Sequence, residues 1–404
     1  MDGSASLSDL KVVEYAQMVS GPMCGKLFAD MGAEVIKVEP PGAGDEARCH
    51  PPFAGDQPHP EKSGLFLYLN TSKKSITLDP TTPTGAILFK RLVEQADIVI
   101  ENQPPGFMER IGLGYEVLRA LNPGLILASV SPFGQTGPYR DWKGCDLVEW
   151  AMSLTGYNTP TLVVDPEKEN PLRAPGRAAD MIGATTAAAG AMFALFHREA
   201  TGEGQWIDAP CWQAVTNTAK IEMAIYSYAG MPFSRLRASA PAGLEPSRCR
   251  DGYVYVLWVV DAHFEALKEL LGHPPALAAD IFKDAGSRSQ NDDIVRHIIQ
   301  QELAKYDMEH LVREGQKLGL PIGPVHTVAQ AAENPHLEAR EAFVAIDHPV
   351  AGRFRYPRAL VRMTATEPAP RRAPMLGEHN AEIFLGRLGC SAEELTAMRT
   401  AGIV

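Results

Sequence analysis

Cysteine is scarce and unpatterned in this sequence of 404 residues: Cys24, Cys49, Cys145, Cys211, Cys249 and Cys390 form no C-x-x-C pair and no compact even framework. That spacing excludes a disulfide scaffold and a clustered zinc site, and it predicts a protein of the reducing cytosol. The opening MDGSASLSDLKVVEY has neither the basic start nor the apolar run of a secretory signal. The longest small-apolar stretch, Met181 to Phe196, reads as too short and too rich in Ala, Gly and Thr for a membrane span. Positive charge is also in deficit, with 38 Lys and Arg against 49 Asp and Glu and a formal net charge of -11. Such an exterior repels nucleic acid and anionic membranes, and it leaves a local basic pocket as the means of holding a small anion. A soluble, cytoplasmic protein is expected, with no nucleic-acid or membrane partner.

The familiar catalytic signatures are missing as well. No H-E-x-x-H and no G-x-S-x-G occurs, so metalloprotease and serine-hydrolase chemistry have no anchor. SGPMCGKLF imitates a phosphate-binding loop, but only three residues separate Gly21 from Gly25, and Leu27 stands where Ser or Thr would hold magnesium. Gly112 and Gly114 lack the third glycine of a dinucleotide fingerprint.

What is present is an ordinary globular composition, 45% hydrophobic and 22% charged, in a chain long enough for two cores. LKVVEYAQMVSGPMCGKLFADMGAEVIKVE reads as strand, Gly-Pro turn, helix and the strand Glu34 to Glu39. The alternation continues with strands at Ser75 to Leu78, Asp97 to Glu101 and Leu125 to Ser129, and with helices at Thr84 to Gln95 and Tyr115 to Leu121. Strands alternating with helices at this spacing imply an α/β fold with a mostly parallel sheet. Helical runs follow at about Ala184 to His197 and Trp212 to Ala229. A Gly-, Pro- and Arg-rich loop then leads to the strand YVYVLWVV and three amphipathic helices, HFEALKELLG, NDDIVRHIIQQELAKY and MEHLVREGQKLG. FRYPRALVRM is strand-like, and TEPAPRRAPMLGEHN is expected to run over the surface. The domains are therefore expected to be discontinuous, 1–225 with 330–404 as the large one and 226–329 as the small one.

Six ordered blocks, among them VSGPMCGKLFADMGAEVIKVEPPGAGD, NTSKKSITLD, IVIENQPPGFMERIGLGY and RAADMIGATTAAAGAMFALFHREATGEGQWIDAP, resemble the class III CoA-transferase family from Leu10 to LGEHN. That family includes formyl-CoA and carnitine CoA-transferases and the α-methylacyl-CoA racemases. The resemblance implies a Rossmann-like large domain, a smaller α+β domain and an interlocked homodimer. It also implies a coenzyme A thioester and a free carboxylic acid as substrates, with no metal. The matching nucleophile is Asp180 in RAADMIGA, and Arg110 and Lys143 match positions near the CoA phosphates and adenine. Leu78, Asp79 and Asn102 match the adenosine end, and Val19 and Asp146 the thiol end. Without the resemblance, an aspartate opening a helix reads first as an N-cap, and each basic residue as a solvated surface charge. Backbone amides near Gly183 would be the oxyanion donors.

Departures from the family pattern point toward transfer. The racemase branch needs a histidine before the aspartate, and Cys145 stands there, a poor base beside imidazole. Asp261 lies where racemases carry an acidic partner, so epimerisation stays open, as does a non-catalytic role beside a homologous subunit. Gly243 alone stands where formyl-CoA transferases have a glycine run, and Val19 replaces their glutamine, which disfavours oxalate as acceptor. Trp142, Trp150 and Trp258 would line a larger acyl site, and Pro40 replaces a basic residue near CoA.

Overall fold

The computed structural model describes residues 5–163, 165, 167–231, 235–237, 246–358, 361–368 and 370–404. Gly243 lies outside the described residues. Six strands, β1 (Lys11–Tyr15), β2 (Glu34–Glu39), β3 (Lys74–Thr77), β4 (Ile98–Glu101), β5 (Ile126–Ser131) and β6 (Trp206–Pro210), form one sheet in the order β3-β2-β1-β4-β5-β6. Every neighbouring pair is parallel, with Val12 opposite Ile98 and Val13 opposite Val99 in the central β1–β4 pair. With Glu14, Lys37 and Glu39 buried among them, the strands carry Val, Ile and Leu on both faces, as a parallel sheet covered on two sides requires. Each such side chain taken from water contributes roughly 1.5–3 kcal/mol.

On one face, Val12, Val35, Ile98 and Ile126 pack with Phe28 of helix α1 (Ser20–Asp30) and with Ala184, Ala187, Ala191 and Ala194 of a long helix. On the other, Val13, Ile36 and Val99 pack with Phe89 and Leu92, and with Ile383, Phe384 and Leu388 from the C-terminal end of the chain. The chain divides into two compact units, one of 1–155, 173–221 and 340–404, the other of 156–172 and 222–339. The span 226–329 expected for the small domain falls inside the second unit. That unit has its own core, in which Val254, Val256 and Trp258 meet Phe264, Leu267, Val295, Ile299 and Leu311.

Several local expectations are corrected. Trp212 to Ala229 is not one helix but two, Cys211–Thr216 and Lys220–Ala229. YVYVLWVV is strand only over Tyr253–Val256. The stretch read as too short for a membrane belongs to a 24-residue helix, Ala178–Thr201, long and apolar enough by length and composition to cross one. Its alanine face is nonetheless packed on the sheet, as in the core helix of a globular unit. TEPAPRRAPMLGEHN does not simply run over the surface. Ala373 is 2% exposed, Arg371 N donates to Ser72 Oγ at 2.9 Å, Gly377 N donates to Ser75 Oγ at 2.9 Å, and Arg48 Nη2 reaches Pro374 O at 3.3 Å.

A buried ionic network stiffens the turns at the carboxyl ends of the central strands. Lys37 Nζ lies 2.9 Å from Glu14 Oε1 and 2.7 Å from Asp45 Oδ2, Lys73 Nζ lies 2.7 Å from Glu14 Oε2, and Arg48 Nε lies 2.7 Å from Glu39 Oε2. Each charge has an opposite partner, which is what makes burial tolerable. Asp45 Oδ1 also accepts from Met18 N at 2.9 Å and from Ala47 N at 2.8 Å, so the network sets the course of the loop entering α1.

Candidate active site

In an open parallel sheet, ligands bind beyond the carboxyl ends of the strands where the strand order reverses, here between β1 and β4. The turns leaving those two strands are tied together. Asn102 Nδ2 donates to Gln17 O at 2.7 Å, and Gln17 N donates back to Asn102 Oδ1 at 3.0 Å. Val19, next to this pair, is 1% exposed and packs in the core at the head of α1. Following Asn102, the loop turns at Gly106 with φ 75°, and a Cβ there would meet Arg140 Nη2 at 2.8 Å and Arg110 Nη1 at 3.6 Å. Two guanidinium groups therefore flank one glycine, a fit for phosphate. Arg140 was not singled out by the sequence, where it reads as one more surface charge.

At the outer side of β2, Leu78 is completely buried, so its side chain is core. Asp79 Oδ1 accepts from Thr81 N at 2.9 Å and from Thr81 Oγ1 at 2.6 Å, which makes it a turn former ahead of the helix Pro83–Val93. Lys143 is exposed on the segment that leads to helix α2 (Asp146–Met152).

Asp180 is the third residue of helix α3 (Ala178–Thr201), whose N-cap residue, Arg177, makes no side-chain capping bond. The residue before the helix, Arg177, is left-handed with φ 57°. The capping duty falls to Asp146 on α2, whose Oδ1 accepts from Ala179 N at 2.9 Å. Asp180 is thus left with its carboxylate at the positive end of a 24-residue helix, its side chain 14% exposed and its Oδ2 3.7 Å from Arg177 Nη1. Burial, then the charge of Asp146, push this carboxyl up to about 6, with Arg177 opposing.

Glu149, one turn beyond Asp146, is 2% exposed, and its Oε2 has no hydrogen-bond partner among the described residues. Burial, then the charges of Asp180 and Asp146, push it up to about 8. Helix α4 (Cys211–Thr216) completes the group, with Cys211 1% exposed and burial holding its thiol well above the usual range. One oxygen of Glu149, one of Asp180 and Cys211 Sγ lie within 4.8 Å of one another. That spacing alone would admit a metal ion, and the thiol and the buried acid would have to release their protons to bind one. Glu149 also escaped the sequence reading; its signal was the i, i+3 spacing from Asp146 on DLVEWAM, where an acid sits on the helix side that carries Trp150.

Gly183 does not supply oxyanion donors, because it lies inside α3 where its amide belongs to the helical ladder. Its role is close approach: a Cβ there would come within 2.3 Å of Cys211 Sγ. Trp258 packs in the core of the second unit at 2% exposure, and Trp150 is 9% exposed against Ala179 and Val215. Trp142 is different. It is 54% exposed and joins Tyr139, Phe133 and Trp212 in an aromatic cluster, its ring 4.1 Å from that of Tyr139. Asp261, in the second unit, is held by Arg288 Nη2 at 2.6 Å.

The sequence matches the model of CoA-transferase family III over residues 7–380. It is 34% identical over 408 residues to the succinyl-CoA–D-citramalate CoA-transferase of Chloroflexus aurantiacus, covering 98% of each chain. It is 36% identical over 395 residues to the succinyl-CoA:mesaconate CoA-transferase of Haloarcula hispanica, covering 94% of this chain and 96% of that one. The fold matches the crystal structure of a CaiB/BaiF family protein from Brucella suis with a TM-score of 0.82 and 30% identity, over 94% of this chain and 99% of the other. With a parallel sheet open at β1 and β4, an uncapped aspartate at the head of α3 and this likeness along nearly the whole chain, the protein belongs to CoA-transferase family III.

Proposed function

We propose that the protein moves coenzyme A from succinyl-CoA to a short-chain dicarboxylic acid, with Asp180 as the covalent carrier. The observation that carries this reading is the state of Asp180, a partly exposed carboxylate at a helix N-terminus whose capping duty has been taken by Asp146. An Asp180 oxygen attacks the thioester carbonyl; a C–O bond forms, the C–S bond breaks, and CoA leaves as the thiolate with the bonding pair. The thiolate then attacks Cγ of Asp180, forming an aspartyl thioester and releasing succinate. The acceptor carboxylate repeats these steps in reverse order. Arg110 and Arg140, with Lys143, would hold the phosphates, and the Val19 and Asn102 turn would border the ligand.

The reading includes a homodimer. Phe193 and Phe196 on α3 are 76% and 77% exposed, an apolar face that a second copy would cover. The six thiols are all free, in keeping with a reducing compartment. Epimerisation is the weaker reading, since Cys145 offers no imidazole and Asp261 is engaged by Arg288.

The test needs no knowledge of the acceptor. Wild-type protein is expected to exchange labelled succinate into succinyl-CoA and to yield an Asp180 hydroxamate when trapped with hydroxylamine. Asp180→Ala should lose both while keeping its circular dichroism spectrum. Exchange at the wild-type rate in the folded Ala variant would overturn the covalent role.

A further inference from the structure

We propose that Glu149 is a positioning residue for Asp180: a neutral carboxylic acid whose O–H is donated to the Asp180 oxygen that is not forming the new bond. The proposal rests on the covalent role of Asp180 and goes beyond it by assigning a second acid to the same step.

Two carboxyl groups with oxygens within 4.8 Å of each other, one of them buried, disfavour each other's ionisation. The surroundings decide which one keeps the proton. Asp180 is 14% exposed, sits on a helix N-terminus and has Arg177 at 3.7 Å. Glu149 is 2% exposed, and its Oε2 has no partner among the described residues. The charged groups facing Glu149 are Asp146 on its own helix and Asp180 on α3, both acidic, while α4 contributes the neutral Cys211 thiol. The proton therefore stays on Glu149, in line with the upward displacement of both acids, larger for Glu149.

A neutral acid has a donor to place, and the nearest acceptor in the group is Asp180. A change of Glu149 rotamer would be needed to bring the two oxygens from within 4.8 Å to hydrogen-bond distance. The hydrogen bond would orient the nucleophile and then stabilise the negative charge that grows on the Asp180 carbonyl oxygen when CoA thiolate attacks Cγ. The proton is never transferred: C–S forms, the anhydride C–O breaks with its pair leaving on succinate, and Glu149 ends as it began. Loss of that proton at high pH removes the donor and places a second negative charge beside the carrier.

The experiment follows isotope exchange between succinate and succinyl-CoA from pH 5.5 to 9.5 for wild type, Glu149→Gln and Glu149→Leu, with hydroxylamine trapping at Asp180. Wild type is expected to lose exchange rate above about pH 8. Glu149→Gln, still a donor but with nothing to ionise, should fall only a few-fold and lose that alkaline limb. Glu149→Leu should fall about 100-fold in kcat with little change in KM, as for other single-donor removals. A folded Leu variant with the wild-type rate and pH profile overturns the proposal, as does a Gln variant that keeps the alkaline limb. Absence of any Asp180 adduct in the wild type overturns the underlying covalent reading, and this proposal with it.

Discussion

Asp146, Glu149 and Asp180 are three acids of one neighbourhood in three different situations. Asp146 accepts from Ala179 N and so serves the helix; Asp180 is partly exposed beside Arg177; Glu149 is buried with an idle oxygen. Stability should register this. An unfolded Glu ionises near 4.5, whereas folded Glu149 keeps its proton up to about 8, so between those values folding requires proton uptake and stability falls as pH rises. Glu149→Gln has no such penalty. Its advantage over wild type is expected to grow from pH 4.5 to 8 and then level off. Each pKa unit corresponds to about 1.4 kcal/mol. Melting curves across this range check the sign, and a constant difference at all pH values would contradict it. The sequence showed the acids but not their states, because Asp146 and Asp180 are 34 positions apart and only the folded chain makes one the cap of the other's helix.

At the scale of elements, the site depends on α3 lying close to α4. Gly183 makes that possible, since any Cβ would collide with Cys211 Sγ at 2.3 Å and with its Cα at 3.0 Å. Gly183→Ala is expected to cost about 1–3 kcal/mol, lowering Tm, and to misplace Asp180 on the preceding turn, lowering exchange. Cys211→Ser, which adds no volume, should leave Tm much closer to wild type; equal losses in the two would argue against the contact. The strands Glu34–Glu39 and Ile126–Ser131 were legible because Val and Ile runs bounded by turns have few other readings. The break between Cys211–Thr216 and Lys220–Ala229 was not. Asn217 N still makes the α-helical bond to Gln213 O, but Thr218 N and Thr218 Oγ1 both donate to Val215 O and Ala219 N donates to Thr216 O, a tightening of the last turn that propensity alone does not distinguish from a continuing helix.

The whole molecule is acidic, yet its expected ligand is a polyanion, so binding must rest on a local cationic patch. We propose Arg110 and Arg140, which flank the Gly106 turn, as that patch. Arg110→Ala is expected to raise KM for succinyl-CoA by about tenfold with little change in kcat, the mark of an interaction made equally in ground and transition states. The KM of wild type should also rise with salt more steeply than that of the variant. A fall in kcat at unchanged KM would place Arg110 elsewhere in the reaction. Composition, strand periodicity and the ordered motif blocks were enough to point to an α/β protein of two cores and its family resemblance, and to single out Asp180 as the candidate, because these depend on local pattern and on order along the chain. The unpartnered oxygen of Glu149, the second guanidinium beside Gly106, and the anchoring of 371–377 against Ser72 and Ser75 depend on which distant residues share a volume, and only the tertiary structure decides that.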